Sequence, residues 1–165
     1  MIQVITKNND IDNYLGKVDN EINNKLSTTT RKILRDKALE MSLECVRNKW
    51  LGLAANQIGL RWRFFIMNSK LTGSPAIIIN PKIIGHMGSS MSIEACLSIP
   101  GGSWVVFRYS YIKVEFYTPD RDFNEFYYNI KEYFWKDKEC AVFQHELDHL
   151  NGIVISDIGK SLPIP

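Results

Sequence analysis

His145-Glu146-Leu147-Asp148-His149, near the C-terminal end, constrains this chain more than any other stretch. Two histidines four residues apart lie on one face of a helix about one turn from each other, so both imidazoles reach a single divalent metal. Glu146 stands beside such a metal without binding it, where a carboxylate takes a proton from water activated at the ion. A catalytic site built this way normally has three protein ligands and one open position. Histidines occur only at 86, 145 and 149, and the sixteen residues after His149 hold no His, Glu or Cys; Asp157 is their sole acid. The third ligand is therefore expected upstream, among Cys45, Cys96, Cys140, His86 and the carboxylates, which composition alone does not rank.

A chain of 165 residues is long enough for one domain with a proper core and short for two. Its net charge of +2 with 23% charged residues argues against a broad basic surface, so no nucleic-acid specificity is expected. No apolar run approaches the roughly 20 residues of a membrane span, and the N-terminus lacks the layout of a signal peptide. Three cysteines, an odd number, suit a reducing compartment with free thiols, and the expectation is a cytoplasmic protein.

The first 26 residues are polar with isolated apolar anchors and read as an extended arm. Ser27 to Thr30 can cap a helix, and Leu34, Ala38, Met41 and Cys45 recur at helical spacing, which predicts a helix over about 28–48 with Cys45 in its core stripe. Trp50 to Gly59 reads as a helix-to-strand turn. Arg61–Asn68 and Ala76–Ile84 read as strands separated by Gly73, Ser74 and Pro75. Gly85 to Ser90 reads as a flexible connection with a solvated His86, and Ser92 to Gly102 places Cys96 among small and turn-forming residues. From spacing alone Cys96 stays open between buried thiol and ligand. Trp104–Phe107, Tyr111–Tyr117 and Glu125–Ile130 alternate as antiparallel strands, with a turn at Thr118 to Asp122. The metal helix is predicted to start near Asp137, to pack Phe143, Leu147 and Leu150 on a sheet and to end at Gly152, with Ile153 to Ile155 extended after it. The expected fold class is α+β, with antiparallel or mixed sheets packed around the helix that bears the two histidines, and one N-terminal helix.

Three stretches in order, Gly52-Leu53-Ala54-Ala55-Asn56-Gln57, Glu94-Ala95-Cys96-Leu97-Ser98 and His145-Glu146-Leu147-Asp148-His149, resemble the three motifs of the peptide deformylases. Ile79-Asn80-Pro81 and the run on to Gly152 look similar too, so the resemblance covers about residues 28 to 156. It implies an enzyme that removes the formyl group from the N-terminal formylmethionine of nascent polypeptides and releases formate. Cys96, His145 and His149 become the implied ligands of one divalent ion, ferrous iron with nickel, cobalt or zinc as substitutes; a thiolate and two imidazoles suit several of these. Glu146 is the implied acid and base, and Gln57 with the Leu97 backbone N–H the donors to the oxyanion. Leu51, Ala141 and Val142 are expected to line the methionine slot, and Gly52 to let the substrate backbone come close. Glu94 and Arg108 are expected to pair as structural support, with Asp148 either orienting a ligand histidine or making a surface salt bridge.

Some positions depart from the family pattern. Trp50 stands where a glycine is usual, Ala95 replaces a glycine beside the cysteine, and Gly101, Gly102 and Ser103 occupy the place of a common arginine. The tail after the metal helix is short and ends Leu162-Pro163-Ile164-Pro165, a phage-like form without the usual C-terminal helix. Two rival readings remain: a metallopeptidase on the same helix motif, and a non-catalytic relative that binds nascent N-termini. A monomer is expected, acting on formyl-Met peptides in a bacterial or infected bacterial cell, with transient ribosome contact open to test.

Overall fold

The computed structural model describes residues 2–10, 13–68 and 74–162. Ser27 starts the first helix, α1 (Thr28–Asn48), by accepting a hydrogen bond from the Thr30 N–H at 3.1 Å, which satisfies one of the donors a helix leaves free at its N-terminus. The helix stops where Lys49 turns into the left-handed region at φ 57°. Leu34, Ala38, Met41 and Cys45 are fully buried and pack with Leu53, Phe64, Ile66 and Ile79. The predicted stripe is thus one side of a core.

The strands are β1 (Gly52–Ala54), β2 (Phe64–Asn68), β3 (Pro75–Met87), β4 (Ser90–Cys96), β5 (Ile99–Arg108), β6 (Tyr111–Pro119), β7 (Phe126–Phe134) and β8 (Lys160–Ser161). They form a five-stranded sheet in the order β1-β2-β3-β6-β7 and a three-stranded sheet in the order β4-β5-β8. Every pairing among the described residues is antiparallel, so the α+β class holds and a mixed sheet is not observed. Two further helices, α2 (Lys138–Leu150) and the short α3 (Ile155–Ile158), follow β7. Phe143, Leu147 and Leu150 of α2 pack with Phe65, Met67, Ile112 and Val114, which places α2 on the opposite side of the larger sheet's core strands from the α1 cluster. That division follows from strand alternation: Phe65 and Met67 face α2 while Phe64 and Ile66 face α1.

Several local expectations need correction. Trp50 to Gly59 is not a simple turn but strand β1 followed by a 3-10 turn at Ala55–Ile58, closed by the Gln57 side chain accepting from the Ala54 N–H at 2.8 Å. Gly85 to Ser90 is not a free connection: β3 runs on to Met87, His86 pairs with Ile112, and its exposed ring stacks on Tyr109 with centroids 3.9 Å apart. The cysteine segment is a hairpin, because Ser92 and Cys96 turn inward while Met91 and Ile93 face out. Ile155 begins α3 rather than continuing an extended run, because the Asp157 carboxylate accepts from the Val154 N–H at 3.0 Å. Gly73, part of the expected turn before β3, lies outside the described residues.

The ends of the chain are tied across the fold. Arg63 donates to the carbonyls of Val18 and Leu150 and to Asn151 Oδ1, so a cation meets the C-terminus of α2. β8 pairs with Trp104 and Val105, and Lys7 bonds Ser156 and Asp157 of α3. Asn80 sits in a register shift of β3 at φ 49°, and its side chain clasps Ile22 by accepting from the N–H at 2.9 Å and donating to the carbonyl at 2.6 Å. Asn80→Ala loses both bonds and a residue type tolerant of that backbone, so urea unfolding should show a loss of about 2 kcal/mol.

Candidate metal centre and active site

Cys96 ends β4, and His145 and His149 stand one turn apart on α2; their ligand atoms lie within 4.8 Å of one another. Cys96 Sγ is 3.2 Å from His149 Nε2. An S···N edge in a tetrahedral site with ordinary metal–sulfur and metal–nitrogen bonds measures roughly 3.5 Å, so an ion needs only a small relaxation here. The donor set of one sulfur and two ring nitrogens, all on buried or nearly buried residues, fits a first-row divalent ion. Cys45 and Cys140 stay out of the cluster, Cys45 in the α1 core and Cys140 in the first turn of α2, against the Tyr109 carbonyl.

A buried charge network sets the orientation of His145. Its Nδ1–H donates to Glu94 Oε2 at 2.9 Å, so the other ring nitrogen is the one free to ligate. Arg108 holds the same carboxylate with Nε and Nη2 at 2.9 and 2.8 Å, and its Nη1 donates to Asp148 on α2. The hydrogen bonds from Asp148 thus lead to His145 through Arg108 and Glu94. Burial works against the Glu94 carboxylate, yet the bonds from Arg108 and His145 more than offset it and hold the group down to about 2. Burial also pulls His145 down, but hydrogen bonds to Cys96 and Glu94 prevail and take it up to about 10. The Glu94 carboxylate behind His145 likewise favours a cation at this place. His149 goes the other way, held neutral first by burial and then by the charges of His145 and Arg108.

Glu146 is buried, and burial is the main reason its carboxyl rises to about 7. A Cβ on residue 52 would lie 2.3 Å from Glu146 Oε1, so the bare backbone of Gly52 is what admits this carboxylate. Glu146 Oε2 is buried without a hydrogen-bond partner among the described residues, an acceptor ready for a small polar molecule. Gln57, also buried, spends Oε1 on the Ala54 N–H and one N–H on Ser98 Oγ at 3.1 Å. Leu97 lies in the two-residue turn between β4 and β5.

These groups border one cleft of about 860 Å³, with Cys96, His145, Glu146, Gln57, Gly52 and Glu94 on its walls. Leu51, Ala141, Val142 and Leu97 line it as well, so every expected site residue except His149, Arg108 and Asp148 borders the cleft. Trp50, standing where a glycine is usual and so able to narrow the entrance, lines the cleft as well; Trp135 adds apolar surface that the sequence did not assign to it and carries no signal beyond its place just before α2. Asn56 was passed over too. Its side chain donates to the His149 carbonyl at 2.6 Å, and the pair of adjacent amides at 56 and 57 was the available hint.

Folding lowers the Glu94 carboxyl from 4.5 to about 2, so its contribution to stability is complete above about pH 4.5 and is lost as pH falls toward 2. Acid unfolding of Glu94→Gln should lack that part of the pH dependence, at the cost of lower stability at neutral pH. A Glu94→Gln curve parallel to the parent from pH 5 to 2 contradicts this account of the network.

Residues 8–162 match the family model described as polypeptide deformylase. A peptide deformylase of Lachnoclostridium phytofermentans is 39% identical over 105 residues, covering 63% of this chain and 60% of that protein. One from Thermoanaerobacter pseudethanolicus is 36% identical over 138 residues, 83% of this chain and 76% of its own length. The chain spans about three fifths of the length of several curated relatives it matches. The crystal structure of peptide deformylase from Thermotoga maritima superposes with a TM-score of 0.77 at 28% identity, covering 96% of this chain and 97% of that one. The chain belongs to the polypeptide deformylase family.

Proposed function

We propose that this chain is a metal-dependent hydrolase that removes the N-formyl group from the formylmethionine at the start of nascent polypeptides. The observation that carries the reading is the convergence of Cys96, His145 and His149 beside a buried Glu146 in an apolar cleft. Residues 1–165 act in this reading as one catalytic domain arranged around α2, supported by the packing of α2 against β1, β2 and β7. The protein works as a monomer on formyl-Met peptides in the bacterial cytoplasm, and co-sedimentation tests any ribosome contact. No described helix is long and apolar enough to cross a membrane.

Cys96, His145 and His149 hold the ion, which when bound supplies Lewis acidity and makes water a nucleophile near neutral pH. Donor chemistry leaves iron, nickel, cobalt and zinc all admissible, with ferrous iron the choice the family suggests. Glu146, with its carboxyl near 7, accepts a proton from the attacking water and delivers it to the departing amine as the C–N bond breaks. Formate and a free α-amine leave. Oxygen charge that develops on the formyl carbon's substituent meets the second Nε2–H of Gln57 and the Leu97 N–H. Leu51, Ala141 and Val142 form the apolar wall for the methionine side chain. Gly52 serves the reaction by making room for Glu146.

The test is formate release from formyl-Met-Ala-Ser by anaerobically prepared, iron- or nickel-loaded protein, set against cleavage of the unformylated peptide. Release of formate alone is expected; peptide-bond cleavage favours the metallopeptidase reading, and neither product at full metal occupancy favours a binding protein. Gln57→Ala should fold, keep its metal and lose roughly 100- to 1000-fold in kcat. Glu146→Ala should fall by roughly 100- to 10,000-fold with metal retained. Gly52→Ala should approach that loss, because its methyl group displaces the base; parent-level turnover in Gly52→Ala contradicts the close approach of Glu146.

A further inference from the structure

The two donors assigned to the oxyanion come from segments forty residues apart in sequence, the 3-10 turn that carries Gln57 and the β4–β5 turn that carries Leu97. A useful oxyanion site needs them fixed to within about half an ångström of each other. Three hydrogen bonds join these turns. Ser98, fully buried, accepts from Gln57 Nε2 at 3.1 Å. The N-terminal arm crosses behind both turns, where the Ile5 N–H donates to the Gln57 carbonyl at 2.7 Å and the Lys7 N–H to the Ser98 carbonyl at 2.9 Å. Through these two bonds Ile5 and Lys7 bridge the turns as a two-pronged brace. The Lys7 side chain is fixed in turn to Ser156 and Asp157 of α3.

We propose that Ser98, backed by Ile5 and Lys7, is a positioning residue that sets the orientation of the Gln57 amide and its distance from the Leu97 N–H. This rests on the oxyanion role given to Gln57 above. The amide has two possible orientations, related by a flip that exchanges oxygen and nitrogen. In the observed one the Ala54 N–H requires the oxygen at its end, and Ser98 takes one hydrogen of the nitrogen at the other. The second hydrogen is left for the cleft. Without the Ser98 hydroxyl the nitrogen end loses its fixed partner and the amide swings about its last torsion. The substrate's ground-state contacts do not depend on this, so the loss falls on kcat rather than KM.

The experiment is a double-mutant cycle on the metal-loaded enzyme, with Ser98→Ala and Ile5→Pro each made in the parent and in Gln57→Ala. Ser98→Ala should lower kcat by about tenfold with KM unchanged in the parent, the scale of one lost hydrogen bond. It should change kcat by less than about twofold in Gln57→Ala, where nothing is left to position. Ile5→Pro removes the N–H that reaches Gln57, together with the Ile5 side chain, and should lower kcat in the same background-dependent way. On the zinc-loaded protein, NMR should show the Gln57 side-chain NH₂ exchanging with solvent faster in Ser98→Ala than in the parent. Equal kcat losses in both backgrounds, an effect confined to KM, or unchanged amide exchange overturns the brace. If Gln57→Ala itself keeps the parent kcat, the oxyanion reading has failed and this inference falls with it, an outcome the cycle distinguishes because the first mutant alone reveals it.

Discussion

Arg108 lies between two carboxylates, Glu94 on β4 and Asp148 on α2, and the site depends on that arrangement. One guanidinium, borne by β5, joins the two elements that carry the candidate metal ligands, β4, which ends at Cys96, and α2, which holds both histidines. Its planar fork suits the task; it engages Glu94 through two nitrogens and keeps a third for Asp148. A buried ion pair of this sort contributes little net stability when desolvation is set against attraction. Its value here is geometric: with Glu94 fixed, His145 has a single tautomer and ring orientation, and Cys96 can lie only where the β4 strand ends.

The proposed base is prepared chiefly by burial, which outweighs the hydrogen bond and charges around it. Glu146 has Gly52 against one oxygen and buried surroundings that bring its carboxyl to about 7, where proton uptake and release are both accessible. The neighbouring Cys45 thiol is pushed up to about 12, by burial first and then by the charges of Glu146 and Glu44, so it remains a neutral wall of the α1 core. Burial that would be a liability for an idle carboxylate becomes the means of tuning this one.

Much of this was legible in the residues. Helical spacing located α1 and α2 almost to the residue, since caps at Ser27 and Asp137 and the stripes behind them are local signals. His145 and His149 announce their shared face through one spacing, whereas Cys96 is brought beside them only through a strand pairing that no local pattern encodes. The same limit explains the errors. The continuation of β3 through Gly85 and His86 is imposed by its partner β6, and α3 depends on one side-chain bond from Asp157. Gly52 drew attention as a site of close approach, but that it faces Glu146 follows only from the packing of α2 on β1. Ser98 and Asn56 are read as ordinary polar residues until their partners, far away in sequence, are in view.

The proposed chemistry needs one ion held by one sulfur and two imidazoles, and X-ray absorption at the zinc edge of zinc-loaded protein reads that ligand set directly. The spectrum should show one sulfur near about 2.3 Å and two histidine nitrogens at about 2.0–2.1 Å, and Cys96→Ser should abolish the sulfur shell alone. A sulfur shell that persists in Cys96→Ser, or a spectrum without histidine scattering, contradicts the site described here.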